Sequence, residues 1–312
     1  LLNHEFDYAL ILSGDQLYRM DFNAMIDEHI EKKADISIAT LPVKPNEATQ
    51  FGILKTDEQS FISSFTEKPS LDKLPGWESE VSEEMKKEDR HYLASMGIYV
   101  FSRELLVELL ENTNTVDFGK EIIPQAIGKR KVLAYQYEGY WTDIGTIHSF
   151  FEANIGLTDD IPQFDLFDTS HTVLTRPRIL PPSKLSGTKI TQSMIADGCI
   201  INAAEIERCV IGIRSRIGTN SVIKNTYMIG SNRYQDLDEM QSDKAEHLPH
   251  IGVGDGCHIA NAIIDKDARI GNGVVIIGGD HLPDREDDKV VIKDGVVVVR
   301  RRAVLPDGYE LK

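Results

Sequence analysis

The chain has 312 residues, 41% of them hydrophobic and 27% charged, with a formal net charge of −16 at neutral pH. That length supports a sizeable core and about two domains, whereas the charge excludes a general nucleic-acid binder, which needs a basic face for phosphate. No apolar run approaches the ~20 residues of a membrane span or has signal-peptide flanks, and Cys199, Cys209 and Cys257 have neither disulfide nor metal-ligand spacing, so a soluble, cytoplasmic chain in a reducing compartment is expected.

The chain starts "LLNHEFDYALIL", without Met, and enters a core strand within seven residues, which reads as a fragment. The apolar run Tyr8 to Leu12, closed by "SGD", predicts a strand covered on both faces, as in a parallel sheet. Asp15 then lies beyond the strand's carboxyl end, where open α/β sheets bind ligands; taken alone it also suits a turn or a helix cap. Phe22, Met25, Ile26 and Ile30 share one face of a helix predicted from Asp21 to Lys33. Ala34 to Val43 reads as a strand, "FGILKTD" and "SFISSFTEKP" as a hairpin around Glu58 and Gln59, and the charged stretch between Leu71 and Tyr92 as a solvated helix or loop. A strand over Leu93 to Ser102, a helix from Arg103 to Glu111, strand material in "KVLAYQYEGYWTDIG" and a helix near Thr146 to Gly156 complete a mixed α/β pattern with a central sheet.

A linker over 158–172 separates residues 1–157 from residues 173–312, where the period changes. Ile211, Ile217, Ile223 and Ile229 recur every six residues, and Ile264, Ile270 and Ile276 repeat the step. Hexads of this kind mark a parallel β-helix, whose short strands each send an aliphatic side chain into a narrow axial core. "NRYQDLDEMQSDKAEHLPH" interrupts the series and must loop out. Hexapeptide-repeat acyltransferases share this period, with His258 as the nearest candidate base, but that reading leaves Asp15 unexplained.

Taken in order, "LILSGDQLYRMDF", "FTEKP", "LASMGIYVF", "DFGKEIIP", "GYWTDIGT", "PPSK" and "IGVGDGCHIANAIIDKDARIG" resemble the ADP-glucose pyrophosphorylases, the glucose-1-phosphate adenylyltransferases, from near Tyr8 to the C-terminus. The resemblance implies a Rossmann-like nucleotide-diphospho-sugar transferase domain over 1–157 and a left-handed parallel β-helix over 173–312 serving regulation and oligomerisation. The implied reaction joins ATP and glucose 1-phosphate into ADP-glucose and pyrophosphate, in glycogen or starch synthesis, by in-line attack on the α-phosphorus. It further implies Mg²⁺ held by Asp15 and Asp143, which with Lys68 form the catalytic set. Glu67 would accept from glucose hydroxyls and Lys68 would hold the sugar phosphate, with Pro69 bending the chain so that both face one way; Gly52 and Ser95 complete the pocket and Trp141 walls it. Arg176, Arg178 and Arg301 correspond to contacts for a phosphate or phosphorylated-metabolite effector near the domain junction, although the relatives' basic residue after "CHI" is Ala260 here. A homotetramer is implied, in the cytoplasm, with the plastid stroma left open.

"DFG" at Asp117 to Gly119 echoes the kinase metal triplet, but no Gly-rich loop or catalytic-loop signature accompanies it, and in this family the segment opens a helix with Asp117 as its cap. The family's own Gly-rich phosphate loop should precede Tyr8, yet no glycine occurs before Gly14. The expectation is therefore an N-terminally incomplete catalytic domain, lacking its nucleotide-binding segment and of doubtful activity alone. The rival readings are another sugar-1-phosphate nucleotidylyltransferase using UTP or dTTP, and a catalytically inactive regulatory subunit.

Overall fold

The computed structural model describes residues 4–112 and 118–312. Packing divides the chain between Trp141 and Thr142.

The first unit is built on a six-stranded sheet. In chain order its elements are β1 (Tyr8–Ile11), β2 (Gln16–Tyr18), α1 (Phe22–Glu31), β3 (Ile36–Val43), α2 (Pro45–Ala48), β4 (Gly52–Thr56), β5 (Ile62–Glu67), α3 (Glu83–Lys87), β6 (Tyr92–Ser102), α4 (Arg103–Asn112), α5 (Ile123–Ala126) and β7 (Val132–Gln136); β8 (Trp141–Asp143) straddles the division. The sheet order is β5-β4-β6-β3-β7, with β1 also on β6. Only β3 and β7 run parallel; β6 is antiparallel to β1, β3 and β4. The predicted parallel, doubly covered first strand is thus an antiparallel one with half-buried residues, because an apolar run of this length does not state its own direction.

Helix α1 starts where the sequence places it: the Asp21 carboxylate accepts from Asn23 N at 2.9 Å and satisfies one of the orphan N–H groups of the first turn. Its Met25 is fully buried with Ala39, Met96, Ile98 and Val100. Leu105 and Leu106 of α4 belong to a separate buried cluster with Ile36, Ile38 and Phe101, so consecutive residues along β3 and β6 serve two cores, as the pleat requires.

His29 of α1 is 1% exposed, shares a 2.8 Å hydrogen bond between Nδ1 and the Ser37 hydroxyl, and meets the Tyr8 ring edge to face at 5.3 Å. Its Nε2 has no partner among the described residues. Burial lowers its pKa below the ordinary 6.5, and Asp35 opposes the shift only in part. A histidine with a lowered native pKa leaves stability intact above the unfolded value and removes it as the unfolded chain takes up the proton at lower pH. The unfolding midpoint of this unit is therefore expected to fall as pH drops below about 6.5, and His29→Asn to flatten that dependence; equal slopes for the two proteins would show that His29 does not titrate the fold.

The second unit is a parallel β-helix with α6 (Ile147–Ile155) laid on it. Thr146 caps α6, its hydroxyl accepting from Ser149 N at 3.1 Å, and Phe151 and Ile155 are buried with Ile263 and Val296. Inside the coils, side chains stack in columns: Ile201, Ile217, Val253, Ile270 and Leu305 in one, Ile206, Ile223, Ile259 and Ile276 in a second, Ile211, Met228, Ile264 and Val299 in a third. A hexad steps from column to column, which is why six of the seven hexad isoleucines are buried. Ile229 is the exception. Asn225 turns the strand with φ of +41°, the conformation asparagine tolerates best after glycine, and this passes the interior position to Met228. Asn225 and Asn261 then stack, Nδ2 to Oδ1 at 2.7 Å, along the coil corner.

The interrupting segment does loop out, as α7 (Leu237–Ala245), capped by Asp236. Arg269 ties it back through Asp243 and the Pro249 carbonyl. Arg233 grips Glu239 with both terminal nitrogens and holds its carboxyl at about 2. All three cysteines line the interior, and burial pushes Cys209 up to about 12, so they pack as small apolar groups rather than act as thiolates.

Candidate functional site

The first unit gathers most of the sequence-predicted pocket residues into one row across the sheet. Gly52 opens β4 and is paired in register with Glu67, which closes β5. Ile53 pairs with Ala94 of β6, so Gly52 and Ser95 come one step later at the same end of that antiparallel pair. Ser95 is in turn opposite Thr40 of β3. The space beside Gly52 is taken: a Cβ there would lie 3.0 Å from Glu67 Oε2 and 2.7 Å from the Phe65 ring. Glycine is needed at this position for room, since its φ is not in the left-handed region.

Lys68 follows with φ of +43°, and its N–H donates to the Phe51 carbonyl at 3.0 Å. The chain therefore turns at Lys68 itself, ahead of Pro69, and both Glu67 and Lys68 are exposed at the strand end. Phe51 meets Trp141 edge to face at 5.5 Å. The Trp141 indole N–H donates to Gln16 Oε1 at 3.2 Å, and Gln16 Nε2 donates to the Met96 carbonyl at 2.6 Å, next to Ser95. Phe51 and Gln16 were not singled out as site residues by sequence reasoning. The usable signal for Gln16 was its place directly after Asp15; for Phe51 there was none beyond its place before Gly52.

Asp15 and Asp143 are both exposed. One oxygen of Asp15 accepts from the Ser13 hydroxyl at 2.5 Å, and one oxygen of Asp143 from Gly145 N at 2.7 Å. The second oxygen of each has no protein partner among the described residues. A hard divalent ion takes a few carboxylate oxygens and completes its shell with water and substrate phosphate, and each of these carboxylates taken singly carries one oxygen of that kind. No cluster of three or more His, Cys, Asp or Glu side chains suited to a metal occurs among the described residues.

The arginines belong to the second unit. Arg176 and Arg178 are exposed in a segment without strands, before the first coil. Arg301 is exposed between the strands Val296–Val299 and Val304–Leu305, and has no ion-pair partner among the described residues, whereas Arg300 beside it is bound by Glu286. The coil strand after Arg301 and the coil strand after Arg178 lie at opposite edges of one six-stranded sheet, so the sheet order does not by itself bring the three together. His258 is exposed at the start of its strand. Asp117 lies outside the described residues. No helix among the described residues is long and apolar enough to cross a membrane.

Residues 1–160 match the family described as nucleotidyl transferase, and residues 178–309 match the GLGC left-handed parallel beta-helix domain. These matches correct the expectation of an N-terminally incomplete Rossmann-like domain without its nucleotide-binding segment. The transferase match covers residues 1–160 and the GLGC-type β-helix match covers residues 178–309. The expectation had rested on the lack of a glycine before Gly14 and of an initial Met, and where a sequence starts carries no argument about the fold it encodes.

Proposed function

Because this chain belongs to the nucleotidyl transferase family, we propose that the row Glu67, Gly52 and Ser95, with Lys68 and Trp141, is where its glucose 1-phosphate binds. The transferase and GLGC domains together make the reaction an adenylyl transfer from ATP to glucose 1-phosphate, giving ADP-glucose and pyrophosphate for glycogen or starch synthesis. Family membership also brings the use of ATP with Mg²⁺.

In that reaction a phosphate oxygen of glucose 1-phosphate forms a bond to the α-phosphorus of ATP, while the bond from that phosphorus to the bridging oxygen of the β-phosphate breaks and pyrophosphate leaves. Such a displacement gains most from alignment and charge neutralisation. Glu67 accepts from sugar hydroxyls, Lys68 neutralises the sugar phosphate, Ser95 adds a hydroxyl, and Trp141 bounds the apolar side of the ring. Asp15 and Asp143 hold the metal, which when bound supplies positive charge at the phosphates. The supporting observation for the sugar site is the pair Gly52 and Glu67, where a missing side chain is what lets the carboxylate stand over β4.

Gly52→Ala tests it. The new methyl must displace the Phe65 ring and Glu67, so the KM for glucose 1-phosphate is expected to rise roughly tenfold or more with the KM for ATP unchanged. A variant with wild-type KM for the sugar phosphate would remove Glu67 from its role. Running the same assay with UTP and dTTP checks the base, ATP being the substrate expected to react.

Arg176, Arg178 and Arg301 are proposed as contacts for a phosphate or phosphorylated effector. Arg301 is favoured by its lack of an ion-pair partner among the described residues, and it lies with Arg178 within the GLGC match, while Arg176 lies just outside. Arg301→Ala should lose the response to added phosphorylated metabolites and keep its unstimulated rate; collapse of the unstimulated rate would refute the regulatory role. Assembly into a homotetramer is proposed on the exposed apolar side chains Leu174, Ile179 and Leu185 before and in the first coil, and a monomeric mass in sedimentation would remove it.

A further inference from the structure

We propose that Gln16 is a positioning residue for the sugar-phosphate pocket, its single side-chain amide fixing the Trp141 wall and the Ser95 strand relative to the strand that begins after Asp15. The proposal rests on the sugar-site reading above and concerns a residue that reading does not use.

The amide has one donor group and one acceptor group in play, and each has a partner that admits no exchange. An indole N–H can only donate and a backbone carbonyl can only accept. Gln16 Oε1 accepts from Trp141 Nε1 at 3.2 Å and Gln16 Nε2 donates to Met96 O at 2.6 Å, so turning the amide over would break both bonds. The side chain is half-buried while its neighbour Asp15 is exposed, as alternation about a strand start requires.

The Met96 carbonyl sits in a bulge. Between β3 and β6 the register passes from Ile38 opposite Tyr99 to Thr40 opposite Ser95, so Met96, Gly97 and Ile98 face the single residue Ala39. Gly97 has φ of +69°, a conformation that glycine adopts without strain. Bulges leave backbone groups outside the regular ladder and re-aim the residues beside them. Here the residue beside the bulge is Ser95, whose hydroxyl accepts from Gly97 N at 3.4 Å, and the group that secures it is Gln16. A Cβ on Gly97 would stand 3.5 Å from Gln16 Nε2, with Ser13 next nearest, so the bulge and the "SGDQ" turn are neighbours. On its other side Trp141 is braced by Phe51, whose carbonyl holds Lys68. Gln16 thus joins the Asp15 segment, the Ser95 bulge and the Trp141 face.

Two substitutions in the full chain separate positioning from packing. Gln16→Leu keeps the size and removes both hydrogen bonds. Gln16→Glu keeps the acceptor for Trp141 but, as a carboxylate, has no proton for the Met96 carbonyl. At pH 8 each variant is expected to raise the KM for glucose 1-phosphate about tenfold, the cost of a lost hydrogen bond to an oriented group, with the KM for ATP changed less than twofold. Wild-type KM values in both variants, or equal changes for both substrates, would each overturn the proposal. An active wild type alongside any of these leaves the sugar-site reading standing and removes Gln16 alone. A wild type that makes no ADP-glucose removes the reading and the proposal with it.

Discussion

Asp15→Asn is expected to lower kcat for ADP-glucose formation by a factor on the order of 10³, the scale lost when a charge that stabilises a phosphoryl-type transition state is removed. Its stability should change by no more than about 0.5 kcal/mol, as for other exposed substitutions. The side chain is exposed and its protein partner is the neighbouring Ser13 hydroxyl, to which an amide oxygen can still bond. The amide keeps the size and loses the negative charge that a hard cation requires. Pyrophosphate release at saturating ATP, glucose 1-phosphate and Mg²⁺ measures the effect, and urea unfolding checks the fold. Full activity would remove Asp15 from the metal site.

Ile270→Ala is expected to cost about 2–5 kcal/mol, the range for emptying a close-packed aliphatic site, whereas Ile229→Ala should cost clearly less. Both belong to the six-residue pattern, but only Ile270 is fully buried, between Val253 below and Leu305 above in its column. Ile229 faces outward, into a cavity of about 290 Å³ that it lines with Ile147 and Phe150 of α6. Chemical unfolding of the β-helix in each variant decides it, and equal losses would mean that burial in the column is not what holds the coils together.

The hexads made the β-helix legible because one aliphatic side chain per short strand is a physical requirement of a narrow axial core. They could not show which member of the series would leave that core, since this depends on the left-handed corner at Asn225. Helices α1 and α6 were readable from their caps, Asp21 and Thr146. The direction of β1 was not, because hydrophobicity states burial and is silent on pairing. The family's motifs pointed to Gly52, Glu67, Lys68 and Ser95, and the register explains why Gly52, Glu67 and Ser95 share a row, with Lys68 turning just past the end of its strand. Gln16 and Phe51 stayed hidden, because their parts are hydrogen bonds and ring contacts made across more than 70 residues of chain. The division of the chain after Trp141 was equally invisible, since it follows from α6 burying Phe151 and Ile155 against the coils.

The central claim is that Asp15 and Asp143 jointly hold a divalent ion alongside a bound sugar phosphate. Paramagnetic resonance of Mn²⁺ added to the full chain with ATP and glucose 1-phosphate tests it most directly. The account predicts one tightly held ion in the wild type and in Glu67→Gln, and its release in both Asp15→Asn and Asp143→Asn. Retention of that ion in either aspartate variant would contradict the account.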